Sequence, residues 1–241
     1  MFKSKAKLLL QNILGFNNYL FLFSLITIRR LYMNKHEEEF VHFLSLLPTD
    51  KVLLDIGANI GIMTVPLAKK AIDGKVYAFE PMPQNLIALK RVIKYHKLHN
   101  VTILETAMGS EPGELKMVMP IINNVKMQGL CHVVDENNPE EGEYFTVPVQ
   151  RLDDIPELQN AGAIAGIKID VENFEFEVLT GAKKLLLKHK PLIYCELWDN
   201  EKRAATLNYL KNEIGYHIKI YDGEKLVHYT NQNVLNYFMV P

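Results

Sequence analysis

Several features that define common protein classes are scarce in this sequence. Its 241 residues include only two cysteines and one tryptophan. Cys131 and Cys195 are far apart in the chain and lie in apolar contexts, so they suggest neither a disulfide framework nor a Cys-rich metal site. We therefore expect a reducing, cytoplasmic location. The formal net charge of -1 lacks the basic excess typical of proteins that bind nucleic acid.

Long apolar runs are also absent. The longest, residues 19–28, is well short of the roughly 20 residues that a membrane-spanning helix needs. Asn17 and Asn18 interrupt the apolar stretch before it, and Arg29 and Arg30 follow it, which does not fit a secretory signal peptide. The sequence predicts neither a transmembrane helix nor a secreted protein.

The charge is unevenly distributed along the chain. Residues 1–35 contain no acidic residue. They contain six basic residues, namely Lys3, Lys5, Lys7, Arg29, Arg30 and Lys35. We expect residues 1–47 to form a helical extension that precedes the main domain. It could pack on that domain, form a homodimer contact or rest on an anionic membrane surface, and packing is the simplest of the three.

Residues 48–241 show the alternation of strands and helices expected of an α/β domain. Short apolar runs at 52–56, 76–79, 101–104, 166–170 and 192–197 read as buried strands, with amphipathic helices at about 59–71, 84–97, 174–189 and 201–213 between them. Pro66 inside the first of these helices predicts a kink or a late start. Three further runs, 217–221, 225–229 and 234–240, predict antiparallel strands at the edge. The fold class is therefore α/β, with a mostly parallel, doubly wound sheet.

The alternation is interrupted between residues 109 and 151. Turns rich in Gly, Pro and Asn surround short β-type runs there, so we expect an irregular, β-rich insertion. In an α/β protein such an insertion is a candidate acceptor-binding element. Its sequence contains no motif that identifies the acceptor.

A glycine-containing turn follows the first strand. Gly57 and Gly61 flank Asn59, and Glu80 follows the second strand, where a carboxylate can accept hydrogen bonds from ribose hydroxyls. The turn has G-x-x-x-G rather than the G-x-G-x-x-G of dinucleotide sites. Asp55 lies two residues before the first glycine, where it would repel a phosphate and attract a cation. These observations favour S-adenosylmethionine over NAD(P).

Further motifs carry a resemblance to a known family. The chain resembles the FkbM-type S-adenosylmethionine-dependent methyltransferases from about residue 51 to 197, in the order Asp55-x-Gly57-Ala58-Asn59-x-Gly61, Ala78-Phe79-Glu80-Pro81, Leu152-Asp153-Asp154, Ile167-Lys168-Ile169-Asp170-Val171-Glu172, Val178-Leu179-x-Gly181-Ala182 and Pro191-x-Ile193-x-x-Glu196. The resemblance implies a Rossmann-like, seven-stranded sheet and methyl transfer to a hydroxyl of a sugar, glycan, polyketide or other small metabolite. The candidate cofactor-binding residues are Asp55, Gly57, Asn59, Gly61, Glu80, Pro81 and Ala107.

The chain departs from the family pattern at two points. Asn173 occupies a position where the family usually has glycine, and the asparagine that the family often has near Val92 is missing. Because asparagine tolerates left-handed backbone angles better than other residues with a Cβ, we expect the turn at Asn173 to be preserved.

Methyl transfer to a hydroxyl calls for a general base. The candidate catalytic residues are Asp170 and Glu172, supported by Lys168 and Glu196, all near the carboxyl ends of central strands. Some of these carboxylates could instead cap the following helix. Lys168 is either the partner of a buried carboxylate or a neutral base, and pairing is favoured because an isolated buried lysine is costly.

Other functions receive less support from the sequence. No metal site is predicted, since His96 and His99 are the only close histidine pair. Base methylation is disfavoured because Ile-Asp-Val-Glu occupies the place of an Asn/Asp-Pro-Pro-aromatic motif. The alternatives that remain are an NAD(P)-dependent oxidoreductase and a non-catalytic nucleotide-binding module.

Overall fold

The computed structural model describes residues 2–33, 37–135 and 140–241. Met1 and residues 34–36 of the predicted N-terminal extension lie outside this part of the chain. Within it, the strands are β1 (Val52–Ile56), β2 (Lys75–Phe79), β3 (Val101–Leu104), β4 (Ala107–Met108), β5 (Gly113–Ile122), β6 (Val125–Lys126), β7 (His132–Val133), β8 (Gly142–Gln150), β9 (Ile164–Ile169), β10 (Leu192–Glu196), β11 (His217–Tyr221), β12 (Leu226–His228) and β13 (Asn236–Val240).

The helices of the described residues precede, separate and cover these strands. They are α1 (Phe2–Leu14), α2 (Phe16–Met33), α3 (Glu38–Leu46), α4 (Thr64–Lys70), α5 (Pro83–Tyr95), α6 (Pro156–Gln159), α7 (Glu175–Thr180), α8 (Lys183–His189) and α9 (Glu201–Tyr209), the last continued by a π-helical turn at Leu210–Ile214. None of them is long and apolar enough to cross a bilayer.

The main sheet has the strand order β12-β11-β13-β10-β9-β1-β2-β3. Strands β3, β2, β1, β9 and β10 are mutually parallel, whereas β13 runs antiparallel between β10 and β11. The predicted α/β class and mostly parallel sheet are confirmed. The seven strands implied by the family resemblance are one too few, because the run 225–229, predicted as an antiparallel edge strand, forms β12 as the eighth strand. Asp222 Oδ1 accepts hydrogen bonds from the backbone N–H groups of Glu224 and Lys225 and closes the turn before β12.

Alternating side chains of β1 define the two sides of the core. Leu54 and Ile56 pack with the α7 and α8 side of the molecule, while Leu53 packs with Phe40 and Phe43 of α3. Since successive strand residues point to opposite faces, one fully buried strand serves both layers. Because β1 pairs in parallel with both β2 and β9, the carboxyl ends of these three strands meet at one edge of the sheet.

The insertion forms a smaller sheet of its own. Its long hairpin pairs β5 with β8, from Gly113 opposite Val149 to Pro120 opposite Gly142. The short strands β4, β6 and β7 extend this hairpin. The β-rich insertion predicted for 109–151 therefore corresponds to a second sheet in the described residues.

The N-terminal helices pack on the main domain. The hydroxyl of Ser24 in α2 is buried and donates to the carbonyl of Ile60, 2.7 Å away. Arg91 of α5 donates to Asn18 Oδ1 at 3.0 Å and lies over the ring of Phe21. Arg91 thus binds α2 in the region where the family's asparagine is missing.

Two of the predicted helices have limits set by particular residues. The helix predicted at about 59–71 begins late, at Thr64, which is one of the two outcomes predicted from Pro66, and Pro66 lies in its first turn, where a backbone N–H would have no helical partner. The helix predicted over 174–189 is broken at Gly181, whose carbonyl accepts from the N–H of Asp153. The Asp153 carboxylate then accepts from the N–H groups of Lys184 and Leu185 at the start of α8. The family-like motif at 152–154 thus has a structural role as a helix cap.

This cap predicts a measurable stability contribution. Replacement Asp153→Ala should lower the free energy of unfolding by about 1–2 kcal/mol, because two N–H groups at the start of α8 lose their acceptor. Urea denaturation measures the change. Asp154→Ala, at an exposed neighbouring carboxylate, is the control and should change stability by less than about 0.5 kcal/mol. Equal effects of the two replacements would contradict the capping role.

Candidate active site

The turn after β1 is shaped by close contact with the end of β9. Gly57 has a φ of +77°, and a Cβ atom there would lie 1.9 Å from the carbonyl oxygen of Asp170. The N–H groups of Gly57 and Ala58 both donate to the carbonyl of Phe79 in β2. Asn59 also has a left-handed φ, of +48°. Only glycine fits at position 57, since the backbone of a neighbouring strand occupies the space of a side chain.

Glu80 is buried at the end of β2. Its Oε2 accepts from the N–H of Asn59 at 2.7 Å, and its Oε1 accepts from the N–H of Met82 at 2.9 Å and from Asn85 Nδ2 at 3.2 Å. Burial raises the pKa of Glu80 to about 7 despite these hydrogen bonds. Because a carboxylate offers about four acceptor positions, Glu80 retains capacity for a ligand hydroxyl.

A buried ion network lies beneath the Gly57 turn. The Lys168 ammonium donates to the carbonyl of Gly57 at 2.8 Å and lies 3.5 Å from Asp55 Oδ1 and 3.7 Å from Asp170 Oδ2. The hydroxyl of Thr64 donates to Asp55 Oδ2 at 2.6 Å. Burial alone lowers the pKa of Lys168, but the two carboxylates outweigh it, so that its pKa lies above the usual value. Lys168 is therefore an ion-pair partner, as expected, rather than a neutral base.

A cavity of about 680 Å³, counting the open space at its mouth, lies at this edge of the sheet. Seven predicted site residues line it: Gly57, Asn59, Glu80, Pro81, Ala107, Asp170 and Glu172. The other four, Asp55, Gly61, Lys168 and Glu196, are not part of its wall. Asp55 and Lys168 neutralise each other behind the turn, and Gly61 packs on Leu89 of α5. Asp55 thus supports the wall instead of presenting a free charge to a ligand.

The turn after β9 places a carboxylate in the cavity. Glu172 and Asn173 have φ values of +52° and +74°, so the predicted left-handed tolerance of Asn173 is confirmed. Glu175 Oε1 accepts from the N–H groups of Val171 and Asn173 and closes the turn. Asn200 Nδ2 donates to Asn173 Oδ1 at 2.7 Å, which fixes the turn against α9.

The carboxylates near this turn interact electrostatically. Burial, together with the charges of Asp170 and Glu196, raises the pKa of Glu172 to about 8. Burial and the charge of Asp170 likewise raise the pKa of Glu196 to about 7. Perturbed carboxyl groups of this kind, gathered beside a cavity, are typical of acid–base sites. Across the described ranges, no three His, Cys, Asp or Glu side chains are grouped as metal ligands.

Several cavity residues were not identified from the sequence. Asn85, Gln128, Cys131 and Phe174 all line the wall. The side-chain oxygens of Asn59, Asn85 and Gln128 are buried and have no hydrogen-bond partner among the described residues. The spacing of Asn85 from Glu80 is a usable signal, since the first turn of α5 must face the end of β2. Gln128 follows β6 in the insertion, where no motif marks it.

A second cavity of about 1120 Å³ adjoins the first. Both are lined by Glu172 and Phe174, and the second also by Trp198 at the end of β10 and by Leu130 and Ile122 of the insertion. The turn carrying Glu172 therefore separates a cavity at the ends of β1 and β2 from a wider cleft beneath the insertion.

The sheet order, the glycine turn and the ribose-type carboxylate together define a methyltransferase-type α/β fold. A crystal structure of methyltransferase FkbM from Methylobacillus flagellatus has the same fold, with a TM-score of 0.56 and 20% identity over 82% of this chain and 45% of that one. This chain thus spans less than half the length of that structure.

Sequence comparison gives the family. Residues 55–218 match the methyltransferase FkbM domain, and the chain belongs to this family of methyltransferases. It is 27% identical to methyltransferase 1 of Beauveria bassiana over 77% of this chain and 81% of the relative. It is also 27% identical to the 31-O-demethyl-FK506 methyltransferase FkbM of Streptomyces tacrolimicus, over 59% of this chain and 63% of the relative. The resemblance recognised in the sequence is confirmed.

The contact at Gly57 generates a prediction. Gly57→Ala should lower the free energy of unfolding by more than about 2 kcal/mol, because the new methyl group collides with the Asp170 carbonyl and the residue keeps a left-handed φ. Thermal and urea denaturation measure it. Gly129→Ala, where a Cβ meets open space, is the control. A similar small effect at both positions would show that the turn can move away from β9.

Proposed function

We propose that the protein transfers a methyl group from S-adenosylmethionine to a hydroxyl oxygen of a sugar, glycan or other small metabolite. The observation that carries the proposal is the position of Glu172. This carboxylate lies between the cavity that contains Glu80 and the wider cleft beneath the insertion. A base in that position can reach a hydroxyl in the cleft while a methyl donor occupies the cavity.

The polar atoms of the cavity fit this cofactor. S-Adenosylmethionine carries hydrogen-bond donors at its ammonium, ribose hydroxyl and adenine amino groups. The cavity offers the carboxylate of Glu80 and the partnerless oxygens of Asn59, Asn85 and Gln128. Unpaired buried acceptors are costly, so donors of a bound ligand would satisfy them. We assign Glu80 to the ribose and the three amide oxygens to the remaining donors.

The phosphates of a dinucleotide fit less well. A pyrophosphate is normally held by N–H groups at the start of a helix that follows a glycine-rich turn directly. Here the turn ends at Gly61, and α4 begins only at Thr64. The wall carries the carboxyl groups of Glu80, Asp170 and Glu172, and its described lining includes no Lys or Arg that would pair with a phosphate.

The chain's own residues would perform the acid–base step. When bound, S-adenosylmethionine supplies an electrophilic methyl carbon. Ionised Glu172 accepts the proton of the acceptor hydroxyl, a role that typically contributes about 10²- to 10⁴-fold to the rate. Asp170, held by Lys168 at 3.7 Å, keeps the end of β9 in place and contributes negative charge beside Glu172. Positioning of the two substrates by the rigid strand ends would supply much of the remaining rate acceleration.

The cleft beneath the insertion is our candidate acceptor site. Trp198, Phe174 and Leu130 give it a largely apolar wall, and rings of this kind stack on sugar rings or pack on apolar metabolites. The relative from Streptomyces tacrolimicus is named as an O-methyltransferase of a small metabolite, which supports oxygen as the methylated atom. The chain's balanced charge and the two free thiols, Cys131 and Cys195, support a non-nucleic-acid acceptor and a cytoplasmic reaction.

The assignment of the base is tested by Glu172→Gln. The replacement keeps the shape of the side chain and removes its ability to take a proton, so kcat should fall by about 10²-fold or more. The KM for S-adenosylmethionine should change little, since Glu80 and the amide oxygens hold the cofactor. The measurement is formation of S-adenosylhomocysteine with an acceptor found in a panel of sugars, glycans and hydroxylated metabolites.

The control for this variant is Glu201→Gln, at an exposed carboxylate in the first turn of α9. The pH dependence gives a second readout. Because Glu172 has a raised pKa of about 8, it is protonated and inactive as a base below that pH, so kcat/KM of the wild type should rise through about pH 8. The Glu172→Gln variant should lack this rise of kcat/KM with pH. Full activity with an unchanged pH profile would place the base elsewhere.

A further inference from the structure

Helix α2 is apolar on two opposite sides. Its inner side buries Leu20 and Ile28 against Ile60 and Val65 of the main domain. Its outer side exposes three more large apolar side chains, Leu22, Ile26 (53% exposed) and Met33 (71% exposed). These positions are separated by four and seven residues, so they lie on one face of the helix. These three side chains remain exposed in the part of the chain that the structure describes.

The preceding helix also exposes apolar side chains. On α1, which is joined to α2 through Gly15 and contacts it, Leu9, Leu10 and Ile13 are exposed, the last at 69%. We call the exposed side of the two helices the leader face. Six large apolar side chains grouped on two adjacent helices are more than the isolated apolar residues of an ordinary surface.

The charged residues of the segment that carries the leader face are all basic. Arg29 and Arg30 are exposed at the end of α2, on the side of Ile26 and Met33. Residues 1–35 contain no Asp or Glu at all. Apolar side chains flanked by basic ones match the interface of an anionic bilayer, where the former enter the acyl boundary and the latter meet lipid phosphates.

The leader face is held rigidly by the rest of the fold. Gln11 of α1 exchanges two hydrogen bonds with the backbone of Lys126, at 3.1 and 3.2 Å. Ser24 and Arg91 fix α2 in the same way. The surface is therefore formed before it meets a partner, and docking needs no folding of the segment.

We propose that the leader face docks the protein on an anionic membrane surface, as a peripheral contact. A second copy of the chain is a poorer partner. In a twofold contact of this face with itself, Arg29 and Arg30 would need acidic partners from the same segment of the other copy, and residues 1–35 contain none. The anionic bilayer supplies the opposite charge that such a dimer lacks.

Co-sedimentation of the full chain with vesicles tests this proposal. One set of vesicles contains phosphatidylcholine alone and the other about two parts of phosphatidylcholine to one of phosphatidylglycerol. We expect binding to the anionic set only, weakened by salt. Arg29→Gln with Arg30→Gln should reduce the partition coefficient by about tenfold or more, as should Ile13→Ser with Ile26→Ser.

Matched controls are available on other surfaces. Lys184→Gln with Lys188→Gln removes two exposed charges of α8, and Ile72→Ser with Leu187→Ser removes two exposed apolar side chains. Both should bind like the wild type. All four variants change exposed residues and should keep the wild-type melting temperature, which is measured first. Absence of binding to anionic vesicles, equal loss in the controls, or a lipid-free dimer abolished by Ile13→Ser with Ile26→Ser would overturn the proposal.

Discussion

The site depends on one buried cation. The ammonium of Lys168 holds together the ends of β1 and β9, because it contacts Asp55, Asp170 and the carbonyl of Gly57 within 2.8–3.7 Å. The fully buried carboxylate of Asp55 could not lie there without it, since an unpaired buried charge is strongly unfavourable, and the partly exposed carboxylate of Asp170 is held by the same cation. The same cation fixes the distance at which the Gly57 turn touches the Asp170 carbonyl. The contacts of Lys168 therefore stabilise the strand ends that carry the residues facing the ligand.

This arrangement also determines which carboxylates can act as bases. The charge of Lys168 is shared by Asp55 and Asp170, so Glu172 and Glu196 experience mainly burial and the negative charge of their neighbours. Their pKa values rise toward neutrality for that reason, and Glu172 is the one of the two on the cavity wall. The left-handed turn at Glu172 and Asn173 completes this division of roles. The turn directs the Glu172 carboxylate away from the line of β9 and toward the boundary between the cavity and the cleft.

Much of this site follows from the sequence, because the ends of parallel strands converge whatever the details of packing. Glu80 and the Gly57 turn could be placed together for that reason. The inward orientation of Asp55 could not be predicted, since it depends on pairing with Lys168 from β9, a strand that is distant in the sequence. The eighth strand is predicted as the apolar run 225–229, and only the family resemblance implies a count of seven. Gln128 could not be predicted because the insertion has no periodic pattern. The broken helix at Gly181 likewise reflects a tertiary contact, the cap from Asp153, which helix periodicity does not contain.

The central claim is that the cavity beside Glu80 is built for the methyl-donor cofactor. Calorimetric titration of the purified chain with S-adenosylhomocysteine, and separately with NAD⁺, tests it most directly, because both ligands contain an adenosine but only one carries a pyrophosphate. The account predicts saturable binding of S-adenosylhomocysteine at a single site and no heat of binding with NAD⁺. Binding of NAD⁺ without S-adenosylhomocysteine, or of neither ligand, would contradict it.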